Sequence, residues 1–252
     1  AVRKEGKIMK GLLYKNFMSF RIHLLTLGLM LFFSGLMCIT FAYVDFSNMK
    51  SGITEPDTSL FTFCMVMMFF ITFFLIEPLS GELFATDEKA TTCCFFFSTP
   101  QSGKGLIQSK YYFILLMDLG VLFGCFLIDT IVMVIMGEYA VSTLTVCVIL
   151  FSVTLILLAI QIPFHVRFGA KMGPEVQGLF VYTFFCLIVV YALFGNISFF
   201  FEENILEAFM AYLQSGKVVF ILSLLPYVAV LLYYLSYRLS LILYRKGVES
   251  YE

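Results

Sequence analysis

The segment YYFILLMDLGVLFGCFLIDTIVMVIM, Tyr111 to Met136, decides the fold. It is longer than the ~20 residues a helix needs to cross a hydrocarbon core of ~30 Å, and it is apolar except for Asp118 and Asp129. Counted as a span, it gives the chain six crossings and puts both termini on one side. Discounted, it leaves an odd number and separates them.

The rest of the chain argues for counting it. Of 252 residues, 61% are hydrophobic and only 13% charged, with a mean hydropathy of +0.96. Soluble domains carry charge nearer ~25%, so this is an integral membrane protein. The other apolar stretches are Leu24–Val44, Thr58–Ile76, Val141–Phe164, Val176–Phe201 and Val218–Tyr237. With six spans, all of the 16 Lys and Arg except Lys50 and Lys217 fall on the side that holds the termini. Basic residues stay cytoplasmic, so both termini are expected there. Removing one span scatters the charges over both faces.

The expected fold is therefore all-α: one transmembrane domain over 1–252, with a cytoplasmic or interfacial segment at 1–22. In that segment Met9, Leu12, Leu13, Asn16, Phe17 and Phe20 share one helical face, opposite Lys7, Lys10, Lys15 and Arg21. It reads either as a helix lying in the interface or as an extension of the first span. Leu24–Val44 is too long for a signal-peptide core and is expected to remain as a helix. Residues 202–217 place Ile205, Leu206, Phe209 and Leu213 on one face, an amphipathic helix on the outer surface, with Gly216 expected to end it. Between the fourth and fifth spans, Gly169, Gly173 and Pro174 prevent a continuous helix. Tyr111, Tyr112, Tyr233, Tyr234, Tyr237 and Tyr244 form an inner aromatic belt.

Chemistry is sparse. The seven cysteines show no C-x-x-C spacing and read as small apolar residues. His23 and His165 belong to no paired metal pattern, and no metal or cofactor is expected. The SGKG at 102–105 fails as a phosphate loop, since Ser98 and Gly105 stand where Gly and Ser/Thr are required. No nucleic-acid partner is expected; membrane lipid is. Asp118 and Asp129 project from one helical face, about 16 Å apart along the axis, too far to share a proton. They face protein or water. Either they line a substrate path, or they bond neighbouring helices. Glu77, before Pro78 at the end of the second span, is a similar case in which the structural reading is favoured.

The loop after the second span, 80–110, is the unusual one. Acidic and basic residues at Asp87, Glu88, Lys89 and Lys104 frame an apolar knot, Phe95, Phe96 and Phe97, which breaks at Pro100. On a cytoplasmic loop such a patch enters either lipid or a partner. The order DEK, apolar patch, STP (Ser98–Pro100), then SKYY (Ser109–Tyr112) resembles the first cytoplasmic loop of type-two ABC exporter permeases. It is most similar to the small six-span branch that includes the phenol-soluble modulin exporter permeases. MKGLLYKNF from Met9 and IPFHVRFGAKMG from Ile162, with Arg167, Phe168, Gly169 and Lys171, are similar too. The chain departs from the branch in having Ala90-Thr91-Thr92 where an aromatic commonly follows the acidic-Lys group.

The resemblance implies two permease chains, identical or different, with two separate cytoplasmic ATPase subunits that bind the ATP and Mg. It implies that the loop forms a coupling helix seated in an ATPase groove, and that the chain itself is not catalytic. The expected function is export of amphipathic peptides, antibiotics or lipid-like substrates from a bacterial cell. A membrane immunity protein or scaffold that sequesters a toxic peptide is the alternative. A secondary transporter is disfavoured by the lack of internal repeats.

Overall fold

A computed structural model of the chain describes residues 2–50, 58–85, 103–137, 143–194 and 216–249. These residues form helices α1 (Val2–Ser19), α2 (Arg21–Lys50), α3 (Thr58–Phe74), α4 (Ile76–Ala85), α5 (Gly103–Met136), α6 (Leu144–Phe194) and α7 (Gly216–Glu249). Five stretches are long and apolar enough to cross a bilayer: Arg21–Val44, Met65–Ala85, Gly105–Met136, Leu144–Gly169 and Leu222–Tyr244. The Tyr111–Met136 segment is thus one span of an all-helical membrane protein. The expected span Val176–Phe201 begins on α6 and passes beyond the described residues after Phe194. Most of the amphipathic segment 202–217 also lies outside them, although Gly216, expected to end that helix, instead opens α7.

α5 is the centre of the bundle and packs against each of the other six helices. Its buried stripe runs Ile107, Tyr111, Ile114, Asp118, Val121, Cys125, Ile128 and Val132, at alternating intervals of four and three. That spacing holds one face towards neighbouring helices over the full span. Outside the stripe, Phe123, Phe126, Leu127 and Val134 stay exposed, as side chains do where the surrounding solvent is hydrocarbon. Small residues allow close approach of α2: a methyl added at Gly124 would lie 3.0 Å from Leu31, and one at Gly35 would lie 3.3 Å from Ile128.

Two breaks shape the other spans. The second span does not end near Ile76 but runs on to Ala85, which brings Glu77 and Pro78 inside it. Pro78 offers no N–H, and its ring opposes the carbonyl of Phe74, so the helix breaks at Leu75. It resumes because Ile76, Leu79, Leu83 and Phe84 form a continuous buried face. The second break is at Gly169, whose φ of 79° and ψ of 171° divide α6 into two legs. In an unbroken helix Gly173 would stand about 12 Å from His165. Here a methyl at Gly173 would lie 3.1 Å from the His165 Cα, so the chain turns back on itself. The expected interruption of the helix is therefore present, and Gly169 supplies it.

Hydroxyls within the spans are satisfied locally. Those of Ser34, Thr72, Ser80, Ser109 and Ser152 each donate to a carbonyl three or four residues back, at 2.7–2.9 Å. Such bonds let polar residues sit in a medium without water. Among the described residues Cys38, Cys125 and Cys147 are buried and form no disulfide, as small apolar residues would be.

Candidate functional site

The loop that sequence reading singles out joins α4 to α5. Asp87, Glu88, Lys89, Phe95, Phe96, Phe97 and Pro100 lie outside the described residues, and Lys104 falls in the first turn of α5. What the structure places is the base of that loop, the end of α4 and the start of α5, together with everything they touch.

Phe84, one residue before the end of α4, is buried against both other parts of this base. The Lys110 ammonium of α5 sits 3.8 Å above its ring centroid. From α6 the His165 ring meets it edge-on, with centroids 5.7 Å apart at 83°. Lys110 is only 3% exposed, so its attraction to the ring acts in a desolvated setting, where cation–π contacts are strongest. His165 is held between two glycines on separate elements. A methyl at Gly81 of α4 would lie 3.0 Å from its Nε2, and one at Gly173 would lie 2.7 Å from its Nδ1. No described residue hydrogen-bonds either ring nitrogen. The imidazole works here as a flat spacer that fits because neither glycine has a side chain.

Around this core the base is tied to the rest of the bundle. Glu77 presents its carbonyl to Gln161 and its carboxylate to Gln177, both at 3.5 Å, linking α4 to the two legs of α6. His23 of α2 places Nε2 2.7 Å from Glu82 Oε2. Leu12 and Asn16 of α1 and Phe20, at the turn into α2, are buried, and the Phe17 and Phe20 rings pack on Phe113 at 5.0 and 5.9 Å. The α1 face expected to meet lipid therefore lies partly on the first turns of α5.

Tyr111 belongs to the interior and not to an aromatic belt. Its hydroxyl is 2.8 Å from both Ser236 and Ser240 of α7, while Tyr233 donates to the Tyr111 carbonyl at 2.8 Å. Tyr112 and Tyr234 are exposed, as belt residues should be.

Deeper in the bundle, Asp118 is fully buried and faces Thr154 of α6, whose hydroxyl lies 3.1 Å from Oδ1. Asp129 Oδ1 accepts from the Thr143 backbone N–H at 2.9 Å and from its hydroxyl at 2.7 Å. Thr143 directly precedes α6, so this carboxylate sits at the positive end of that helix. Both carboxylates therefore bond a neighbouring element.

At the α6 break, Arg167 and Phe168 are exposed beside Gly169, and Lys171 lies on the second leg. Sequence reading missed the Phe84–Lys110–His165 contact and treated Gly173 only as punctuation. The one available signal was His165 itself, a polar ring that follows the apolar run Ile162-Pro163-Phe164. Among the described residues no group of three or more His, Cys, Asp or Glu could hold a metal ion.

A helical bundle with several spans, a buried lysine at the base of one connecting loop and a glycine break at a second is the architecture of a multi-pass membrane protein. The chain matches the model of the family described as ABC-2 family transporter protein over residues 11–245, and it belongs to that family. It is a membrane permease of an ABC transporter, and that membership implies association with an ATPase subunit. No curated protein and no solved structure matches it.

Proposed function

We propose that the chain is the six-span permease of an ATP-driven exporter in a bacterial cell membrane, of the branch that carries amphipathic peptides, antibiotics or lipid-like molecules outward. Two permease chains, identical or different, work with two cytoplasmic ATPase subunits. ATP and Mg bind in those subunits, and the permease itself catalyses nothing. The termini are cytoplasmic, and the loop from Asp87 to Lys104 is the contact with the ATPase, with Phe95, Phe96 and Phe97 as its apolar centre.

The observation that best supports this reading is the Phe84–Lys110–His165 contact. Phe84 at the α4 end of the loop packs on His165, four residues before Gly169, and Lys110 on the α5 side packs on Phe84, so a displacement of the loop bears on the α6 break through this contact. Such a packed connection between an ATPase contact and a span is what coupling between distant sites requires. Arg167, Phe168 and Lys171 at the break supply a second contact on the same face. Asp118 and Asp129 hold α5 to α6 near the substrate route, and Glu77 holds α4.

The test is co-expression with a candidate ABC ATPase subunit from the same cell. The two proteins are expected to co-purify, with ATPase activity in vesicles responding to the permease. Replacing Phe95, Phe96 and Phe97 with serine should abolish both effects while the permease still inserts. An unchanged complex with unchanged activity overturns the coupling role. Recovery of the permease alone, with no ATPase bound, favours sequestration of a peptide.

A further inference from the structure

The first leg of α6 and α7 leave between them a groove of about 750 Å³ that lies apart from the Phe84–Lys110–His165 contact and the two carboxylates, and that reaches Arg167 and Phe168 at the α6 break. Its walls are apolar, with Ile156, Ile160 and Phe164 on one side and Leu232 and Leu239 on the other. Arg167 is the charged residue lining it, and it stands at one end, next to the α6 break. Ile160, Leu232 and Leu239 are all substantially exposed, so the groove opens sideways from the bundle.

Its length is informative. From Ile156 to Phe168 the wall rises about 18 Å, and from Leu232 to Leu243 about 16 Å. Half of a hydrocarbon core of ~30 Å is about 15 Å, so the groove is as long as one leaflet is thick. A site for a cytoplasmic helix would be open at the surface and polar along its rim. A slot that is apolar for one leaflet's depth and cationic at the headgroup level matches a phospholipid. Basic pockets between spans recognise anionic headgroups by this combination. Arg suits the phosphate because its planar guanidinium bonds two oxygens at once.

We propose that this groove is a binding site for an anionic phospholipid of the leaflet on the Arg167 side. One acyl chain lies along Ile160 and Leu239, and the phosphate rests on Arg167. A lipid held there packs against the leg of α6 that ends at Gly169, so it bears on the break from the membrane side. The assignment does not depend on the transported substrate; it shares Arg167 with the second ATPase contact proposed above, so the lipid is tested with the permease alone.

The protein contains no Trp, which makes a clean experiment possible. A single Trp is introduced as Ile160→Trp in the groove or, as a control, as Phe123→Trp on the exposed face of α5. Each variant is reconstituted in phosphatidylcholine vesicles containing acyl-brominated phosphatidylglycerol or acyl-brominated phosphatidylcholine, and fluorescence quenching gives the relative affinity of the two lipids. The groove Trp should favour the anionic lipid about fivefold, the scale of one basic residue at an anionic surface. The Phe123→Trp control should show a ratio near one. Adding Arg167→Gln should bring the groove ratio to about one, while Arg167→Lys keeps most of it. Equal quenching by both lipids overturns the proposal, as does a preference that survives Arg167→Gln. A groove Trp that no lipid quenches also overturns it, since a second protein chain then covers the groove.

Discussion

Asp118 on α5 and Thr154 on α6 face each other eleven residues along their helices from a second such pair, Asp129 and Thr143. The α5–α6 hairpin therefore runs in strict antiparallel register, with Cys125 and Cys147 in contact between the two rungs. The rungs differ in kind. Thr154 has one hydroxyl proton and also lies 2.9 Å from the Phe151 carbonyl, so what it gives Asp118 it withholds from its own helix. Asp129 accepts two donors at once.

The shared proton predicts an asymmetry at the first rung. Thr154→Val should destabilise the protein, because it leaves a buried carboxylate without its donor, at about 1–3 kcal/mol. Asp118→Asn should cost under about 1 kcal/mol, since its amide both accepts from Thr154 and donates to it. Thermal midpoints of the detergent-solubilised protein, read by size-exclusion after heating, check the order. If Asp118→Asn keeps its midpoint but loses transport, Asp118 lies on the substrate path in addition to its structural bond.

At the second rung the helix cap dominates. Asp129→Ala removes the acceptor of both Thr143 donors and should cost about 1–2 kcal/mol, the usual loss for an N-terminal cap. Thr143→Val keeps the backbone N–H bond and should cost clearly less. The same heating assay separates the two, and equal losses refute the cap.

These rungs show what could be read in advance. The shared face of Asp118 and Asp129 follows from their spacing alone, and that face is the one that meets α6. Which residues it meets does not follow, because Thr154 looks like any hydroxyl in an apolar run. The stripe from Ile107 to Val132 was hidden for a related reason: α5 is apolar on all sides, so its packed face has no polar contrast with the lipid-facing one. Tyr111 was read as a belt residue since its partners, Ser236 and Ser240, lie over a hundred residues away. The end of the second span was misplaced at Glu77 because a carboxylate and a proline resemble a boundary, whereas Leu79 to Phe84 continue the buried face beyond them. The His165 nest depends on the reversal at Gly169, which local sequence signals as a break but not as a fold back.

That nest predicts a rescue that works at one glycine and fails at the other. Gly81→Ala meets only the imidazole, at 3.0 Å from Nε2, whereas Gly173→Ala also meets the His165 backbone. Each should cost about 1–3 kcal/mol by overpacking. Adding His165→Ala should restore the Gly81→Ala protein towards the stability of His165→Ala alone. It should leave Gly173→Ala well below that level, because the clash with Cα remains. A double-mutant cycle on thermal midpoints decides, and equal rescue at both positions refutes the packing described.

The two glycines with positive φ make the last distinction. Gly137 closes α5 with φ of 60°, the left-handed region that Asn tolerates at helix ends. Gly169 combines φ of 79° with ψ of 171°, a region that is essentially closed to residues with a Cβ. Gly137→Asn should therefore be nearly neutral. Gly169→Asn should cost about as much as Gly169→Ala, about 1–3 kcal/mol, since Asn gains nothing at that ψ. The strain can also be relieved by straightening the break, and that outcome has its own signature. The two legs would separate, and a cysteine pair placed across them, as Val166→Cys with Met172→Cys, would lose whatever oxidative cross-linking it shows in the Gly169 parent. A Gly169→Asn protein with the parent's midpoint and unchanged cross-linking would show that the reversal does not depend on this backbone conformation.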